Sequence, residues 1–425
     1  MLSLQALSRY QRERPIRSKT SSHLGSLSML NCGIEFIELN SSLFKPIEMK
    51  NNRREFIKKS AIAATAGSLM PGATYGKPFY YHKKTTNDFV KDAGIQLSLA
   101  YFWGIEPAKV ELAKQMSVFG AVGGISPDMV NMRGQANYSL PVIKAVKQAW
   151  KDVGLDLKVI EGPPALYTKT KLGLEGRDEE IENFITFIKN LGSEGIDTVC
   201  HNWMPVISWA RSNKAKPSRG GALVSSFDIE DIKDEPMITE YGELTHEMMW
   251  NNMAYFLKAV IPEAEKAGVK LALHPDDPPI DNIRGIPRIM TSVEAFKKML
   301  DIYPSPSNGI TFCQGSFASM GDEGAGEDIP AAIRYFGKRD AIHFVHFRDV
   351  RGSKNKFEET FHDDGKTDMY AAMQAYYDIG FKGPMRADHV PTMYGDSNEH
   401  AGYSTIGTLF AIGYIRGLIE GVSKA

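Results

Sequence analysis

The residues of this chain best able to do metal chemistry sit in four short β-rich runs of its C-terminal half. His274 lies in LALHPDDPP, Cys313 in GITFCQGS, His343 and His346 in IHFVHFRD, and Asp388 with His389 in MRADHV. Taken singly, such residues are more often structural, since cysteine is among the most buried types and strand histidines are commonly satisfied in a core. A carboxylate in an apolar interior is different, because its desolvation must be offset by a cation or by hydrogen-bond donors. One divalent ion would neutralise the Asp388 carboxylate and a Cys313 thiolate while accepting imidazoles from His274 and His346. His343 and His346 are three apart on a strand and so point to opposite faces. His346, nearer the C-terminal end of its run, is the expected ligand, which leaves His343 to face the helix layer or to brace the site from behind. Imidazole and thiolate favour Zn or Fe, and the carboxylate also admits Mn.

Four neighbouring runs carrying such residues at the same end imply a scaffold that gathers strand ends. From residue 94 the chain alternates strand-like runs with longer segments of helical period: IQLSLAYF, GAVGGIS, LKVIEG, DTVCHN, VKLALHP, GITFCQG, AIHFVHF and GPMRADH. Glycine punctuates the helical segments, as at Gly154, Gly268 and Gly380. Eight strand–helix units predict an α/β fold of the (β/α)₈ TIM-barrel type, whose catalytic groups cluster at the C-terminal ends of the strands. An open doubly wound sheet is the rival, weakened because no glycine-rich phosphate loop follows the first strand. The polar segment 211–240 reads as an extended loop, a candidate lid over the site.

Composition narrows the partners. The 425 residues are 43% hydrophobic and carry a formal net charge of −1, which supports a large core and gives no electrostatic footprint for nucleic acid or a membrane surface. Three cysteines, Cys32, Cys200 and Cys313, make no disulfide framework. Residues 49–76, MKNNRREFIKKSAIAATAGSLMPGATYG, follow the order of an export signal, with the Arg53-Arg54 pair of the twin-arginine kind. Its apolar part is short and rich in small residues, so it is not expected to span a bilayer. Residues 1–48 are then an upstream, disordered extension, 77–425 the catalytic barrel, and the expected location periplasmic, with the cytoplasm as the alternative.

The motifs TVCHNWMPVISWARS, LALHPDDPP, GITFCQGS, IHFVHFRD, HDDGKTDMY, MRADH and GYSTIGTLFAIGYIRGL together resemble the D-mannonate dehydratases of the hexuronate pathway, over roughly residues 95–420. The resemblance implies a barrel holding a divalent metal through His274, Cys313, His346 and Asp388, with Mn²⁺ the first expectation and Fe²⁺ the next. It further implies that His389 and Tyr403 take part in catalysis. The chain departs from the family at His201, where a tyrosine is common, at Val390 in RADHV, and at GGIS after the second strand.

The implied reaction removes water across C2–C3 of an aldonic acid such as D-mannonate, giving a 2-keto-3-deoxy acid. A base must take the C2 proton and an acid must protonate the departing C3 hydroxyl. His389 and Tyr403 are the candidates, with neither role assigned. Arg348 is a candidate for a bidentate grip on the substrate carboxylate, and Asn202 and His201 for contacts to sugar hydroxyls. Asp276 and Asp277 are expected to order their loop. The alternatives are a metal-dependent sugar isomerase or epimerase and a non-catalytic exported barrel that binds a sugar acid. The expected partner is a small sugar acid, and the sequence leaves a homo-oligomer open.

Overall fold

The computed structural model describes residues 88–320 and 328–425. The extension and export segment expected at 1–48 and 49–76 lie outside the described residues. The strands, in chain order, begin with β1 (Gln96–Ala100), β2 (Gly120–Gly123), β3 (Asp156–Glu161), β4 (Thr198–Asn202), β5 (Asn213–Pro217), β6 (Leu223–Asp228) and β7 (Lys270–His274). They continue with β8 (Asn282–Ile283), β9 (Ile286–Pro287), β10 (Asn308–Cys313), β11 (Ile342–Phe347), β12 (Val350–Ser353), β13 (Lys356–Glu359) and β14 (Pro384–Ala387).

Eight of these strands close into a parallel barrel in the order β1-β14-β11-β10-β7-β4-β3-β2. They are the eight runs picked out by alternation in the sequence, and the doubly wound alternative is thereby excluded. Closure leaves two environments for strand side chains. Val122, Val159, Cys200, Ala272 and Phe344, from five barrel strands, form an apolar cluster of their own inside the barrel. The opposite faces pack against helices, among them Leu140–Asp152, Arg177–Ser193, His246–Ala267 and Thr405–Lys424. Those helices start and stop on local chemistry. Thr245 caps His246–Ala267 by accepting from the Met248 amide at 3.1 Å. Gly268 ends the same helix at φ 67°, where a Cβ would be strained.

His343 adjoins the interior Phe344 along its strand and so faces outward, toward the helix layer. Its Nδ1 lies 3.1 Å from the Leu271 carbonyl oxygen, across the intervening β10. Gly309 makes that crossing feasible, since a Cβ there would sit 2.3 Å from the His343 ring.

Segment 211–240 is not a plain loop. It supplies β5 and β6, which join β13 and β12 in a four-stranded antiparallel sheet of order β12-β13-β6-β5. The polar sequence of β5, NKAKP, is largely exposed, so the strand carries no hydrophobic alternation to announce it.

Candidate active site

Register places the chemistry. Cys313 on β10 is the Cα partner of His346 on β11, and His346 is in turn the partner of Arg386 on β14. His274, the last residue of β7, pairs with Asn202, the last of β4. The strand ends therefore present Asn202, His274, Cys313, His346 and Arg386 at one mouth, with Asp388 just past the end of β14.

His274 Nε2 and His346 Nδ1 lie 3.2 Å apart. The ligating atoms of His274, Cys313 and His346 all fall within 4.8 Å of one another. Asp388 joins from the side, its Oδ2 lying 3.6 Å from His346 Nδ1 and 3.8 Å from Cys313 Sγ. The donor set suits a divalent metal. Two imidazole nitrogens at that separation match neighbouring positions around an ion about 2.1 Å from each. Charge points the same way. Three buried carboxylates (Asp277, Glu359 and Asp388) and the partly buried Glu161 meet three buried guanidiniums (Arg211, Arg348 and Arg386), so the cluster carries an excess negative charge that a cation would offset.

Burial pushes the Asp388 carboxyl up, and the neighbouring Arg386, His389, His346 and Arg348 outweigh it, holding the group well below the usual carboxylate range.

His389 and Tyr403 are brought to the same place by a backbone bridge in which the Val390 amide donates to the Gly402 carbonyl at 2.8 Å. The Tyr403 hydroxyl donates to Asp388 Oδ1 at 3.3 Å. Burial, followed by the Asp388 charge, raises the Tyr403 phenol well above its ordinary value, so it keeps its proton. His389 has Nδ1 2.9 Å from Glu359 Oε1 and Nε2 3.7 Å from Asp388 Oδ1. Its backbone is left-handed, φ 42°, which costs a non-glycine residue about 1–2 kcal/mol and is held by the surrounding contacts.

A cavity of about 220 Å³ opens above these groups, lined by Phe102, Glu161, Asn202, Trp209, His274, His346, Asp388, His389 and Tyr403 among others. Its size suits a small polar molecule.

The three residues expected to contact substrate also have partners within the protein. Arg348, expected on the substrate carboxylate, is 1% exposed, and its N–H groups are all directed at protein atoms. Nη1 reaches Glu359 at 2.7 and 2.6 Å, Nη2 reaches Asp277 at 2.8 Å and Ser316 at 3.0 Å, and Nε faces Asp388 at 2.9 Å and Cys313 Sγ at 3.4 Å. No donor is left for a ligand, so Arg348 holds Cys313 and Asp388 in place. His201 sits at the cavity's edge with its ring packed 5.9 Å from Phe256, and burial followed by the Lys171 charge lowers its pKa to about 3. Asn202 lines the cavity, but its Oδ1 already accepts from Lys171 Nζ and the Met204 amide, each at 3.0 Å.

Asp276 orders its loop as expected, accepting from Arg288 Nη1 at 3.1 Å and from the Ile289 and Met290 amides at 3.1 and 2.8 Å. Asp277 ties Arg348 to Arg211. Sequence reading missed Glu161, Arg386, Glu359, Arg211 and Trp209. Two of them carried a usable signal: Arg386 is two residues before Asp388 in the same strand-like run, and Glu161 ends β3.

A family model described as D-mannonate dehydratase (UxuA) matches residues 97–240 and 235–425. The mannonate dehydratase of Streptococcus agalactiae serotype V is 36% identical over 322 residues, spanning 68% of this chain and 90% of that protein. That of Oceanobacillus iheyensis is 35% identical over 361 residues, 77% of this chain and 98% of its own. The crystal structure of mannonate dehydratase from Streptococcus suis serotype 2 is similar with a TM-score of 0.69 at 34% identity, over 78% of this chain and 94% of that one. With a barrel, a donor set and relatives that agree, the chain belongs to the D-mannonate dehydratase family of metal-dependent hydro-lyases.

Proposed function

We propose that this chain removes water from an aldonic acid, with D-mannonate the first substrate to test, to give a 2-keto-3-deoxy acid. The observation that carries this reading is the meeting of His274, Cys313 and His346 within 4.8 Å, with Asp388 beside them in the cavity that His389 and Tyr403 also line. Those four residues would hold the ion, Mn²⁺ first and Fe²⁺ as the alternative. When bound there, it supplies Lewis acidity to the substrate carboxylate and so acidifies the C2 proton.

The protein groups divide the proton transfers. His389 has Nδ1 engaged by Glu359, which supports Nε2 as the base that takes the C2 proton. Tyr403 stays protonated next to Asp388, which supports it as the acid that gives a proton to the departing C3 hydroxyl. Trp209 and Phe102 present apolar surface that limits water at the reacting carbons.

The test combines metal analysis of purified protein with a panel of aldonates assayed for 2-keto acid release. Keto-deoxy acid from D-mannonate supports the proposal. An isomer of unchanged mass points to the isomerase reading, and no product from any aldonate to a binding protein.

Export through a twin-arginine-type signal at 49–76 is proposed on the sequence order alone, and it predicts a periplasmic enzyme. Fractionation that finds the protein only in the cytoplasm overturns this.

A further inference from the structure

His346 is shared by two groups of metal-capable atoms: His274–Cys313–His346 on one side of its ring, and Glu161–Cys200–His346 on the other. Its Nε2 is buried and makes no hydrogen bond, although Glu161 Oε2 lies only 3.5 Å away. We propose that Glu161 is a positioning residue for His346, accepting the Nε2 proton so that Nδ1 faces the ion, and that Arg386 locks Glu161 and Asp388 into one unit. This rests on the ligand set proposed above.

Three observations separate this role from a second metal site. Both Glu161 oxygens are already taken by Arg386, through Nη2 at 2.9 Å and Nε at 3.1 Å. Cys200 receives the Thr311 hydroxyl at 3.2 Å within the apolar barrel interior, and burial raises its thiol well above the ordinary value, so it remains a thiol. Arg386 Nη2, which can only donate, lies 3.4 Å from His346 Nδ1, which marks Nδ1 as the nitrogen with the lone pair and Nε2 as the one bearing hydrogen. Arg386 Nη1 meanwhile grips Asp388 Oδ1 at 2.5 Å. One guanidinium therefore fixes the carboxylate behind one ligand and the carboxylate of another. Carboxylates that accept from the far nitrogen of a ligating histidine orient the ring and raise its basicity, and their loss commonly costs about 10–100-fold in metal affinity.

Co²⁺ serves as the probe, titrated into metal-free wild type and the variants Glu161→Ala, Glu161→Gln, Cys200→Ser and Cys313→Ser. Affinity comes from chelator competition, and ligand geometry from the thiolate charge-transfer band. The expected result is one ion in wild type, an affinity about 10–100-fold weaker in Glu161→Ala, partial recovery in Glu161→Gln, whose amide oxygen still accepts, and no change in Cys200→Ser. Wild-type affinity and spectrum in both Glu161 variants overturn the proposal while leaving the ligand set standing. Two ions in wild type, one of them lost in Cys200→Ser, overturn it in favour of a second site. A charge-transfer band that survives in Cys313→Ser overturns the ligand set itself, and this proposal with it.

Discussion

His389 Nδ1 lies 2.9 Å from Glu359 Oε1, so a side chain at the exit of the last barrel strand is oriented by one from the antiparallel sheet above the barrel. Glu359 also accepts from Arg348 and from Arg211, at 2.5 Å for the latter. The catalytic histidine proposed here thus depends on an element outside the barrel.

Glu359→Gln keeps the shape but weakens that orientation. Turnover should drop by at least about 10-fold, within the ~10²–10⁴-fold that a well-placed base contributes, while KM changes little. Steady-state kinetics on D-mannonate measure this, with circular dichroism to confirm the fold. Unchanged kcat would remove Glu359 from the proton-transfer machinery.

His274→Ala and Cys313→Ser should each lose bound metal and activity while the barrel still folds. Elemental analysis after purification reads the first, and far-UV circular dichroism the second. Wild-type metal content with full turnover in either variant would refute its assignment as a ligand.

Tyr403→Phe removes one hydroxyl and its bond to Asp388. Metal content should stay at the wild-type level and kcat should fall by about 10²–10⁴-fold. A variant that turns over normally would exclude Tyr403 as the acid.

Acid should destabilise the fold through buried histidines outside the ligand set. Burial is the leading cause that lowers His343 and His362 from 6.5 to about 4. The unfolded chain, with ordinary histidines, binds protons that the folded chain refuses. Stability from these groups is therefore complete above about pH 6.5 and is lost as pH falls through about 4, at up to about 1.4 kcal/mol per pH unit for each histidine. Thermal melts across this window should show Tm falling, with a shallower slope in His343→Gln. A flat Tm would contradict the burial of neutral imidazoles.

The parts legible in the sequence were those where local pattern and tertiary role coincide. Barrel strands such as NGITFC and IHFVHF are buried on both faces because one face meets the interior and the other the helices, and so they read as short, largely hydrophobic runs. The strand-end rule then singled out His274, Cys313, His346 and Asp388, which the fold does gather. Glu359 and Arg211 were invisible by the same logic. They lie 148 residues apart and meet only because β13 pairs with β6, a register that polar segments do not announce. The partners of Arg348 were hidden too, because an arginine after a strand carries no mark of how many acceptors await it.

The crossing of His343 over Gly309 has a reach beyond the foot of the barrel. Gly309 is the second residue of the strand that Cys313 closes, about 13 Å away at the usual rise per residue. Adding a methyl group at that glycine would force either the imidazole or the strand to shift, in a strand that pairs with β7 over Asn308–Ile310 and with β11 from Ile310 on to Cys313. The thiol at its far tip would be carried off its mark, so an alanine at the floor of the molecule should poison the ion at its roof without touching it.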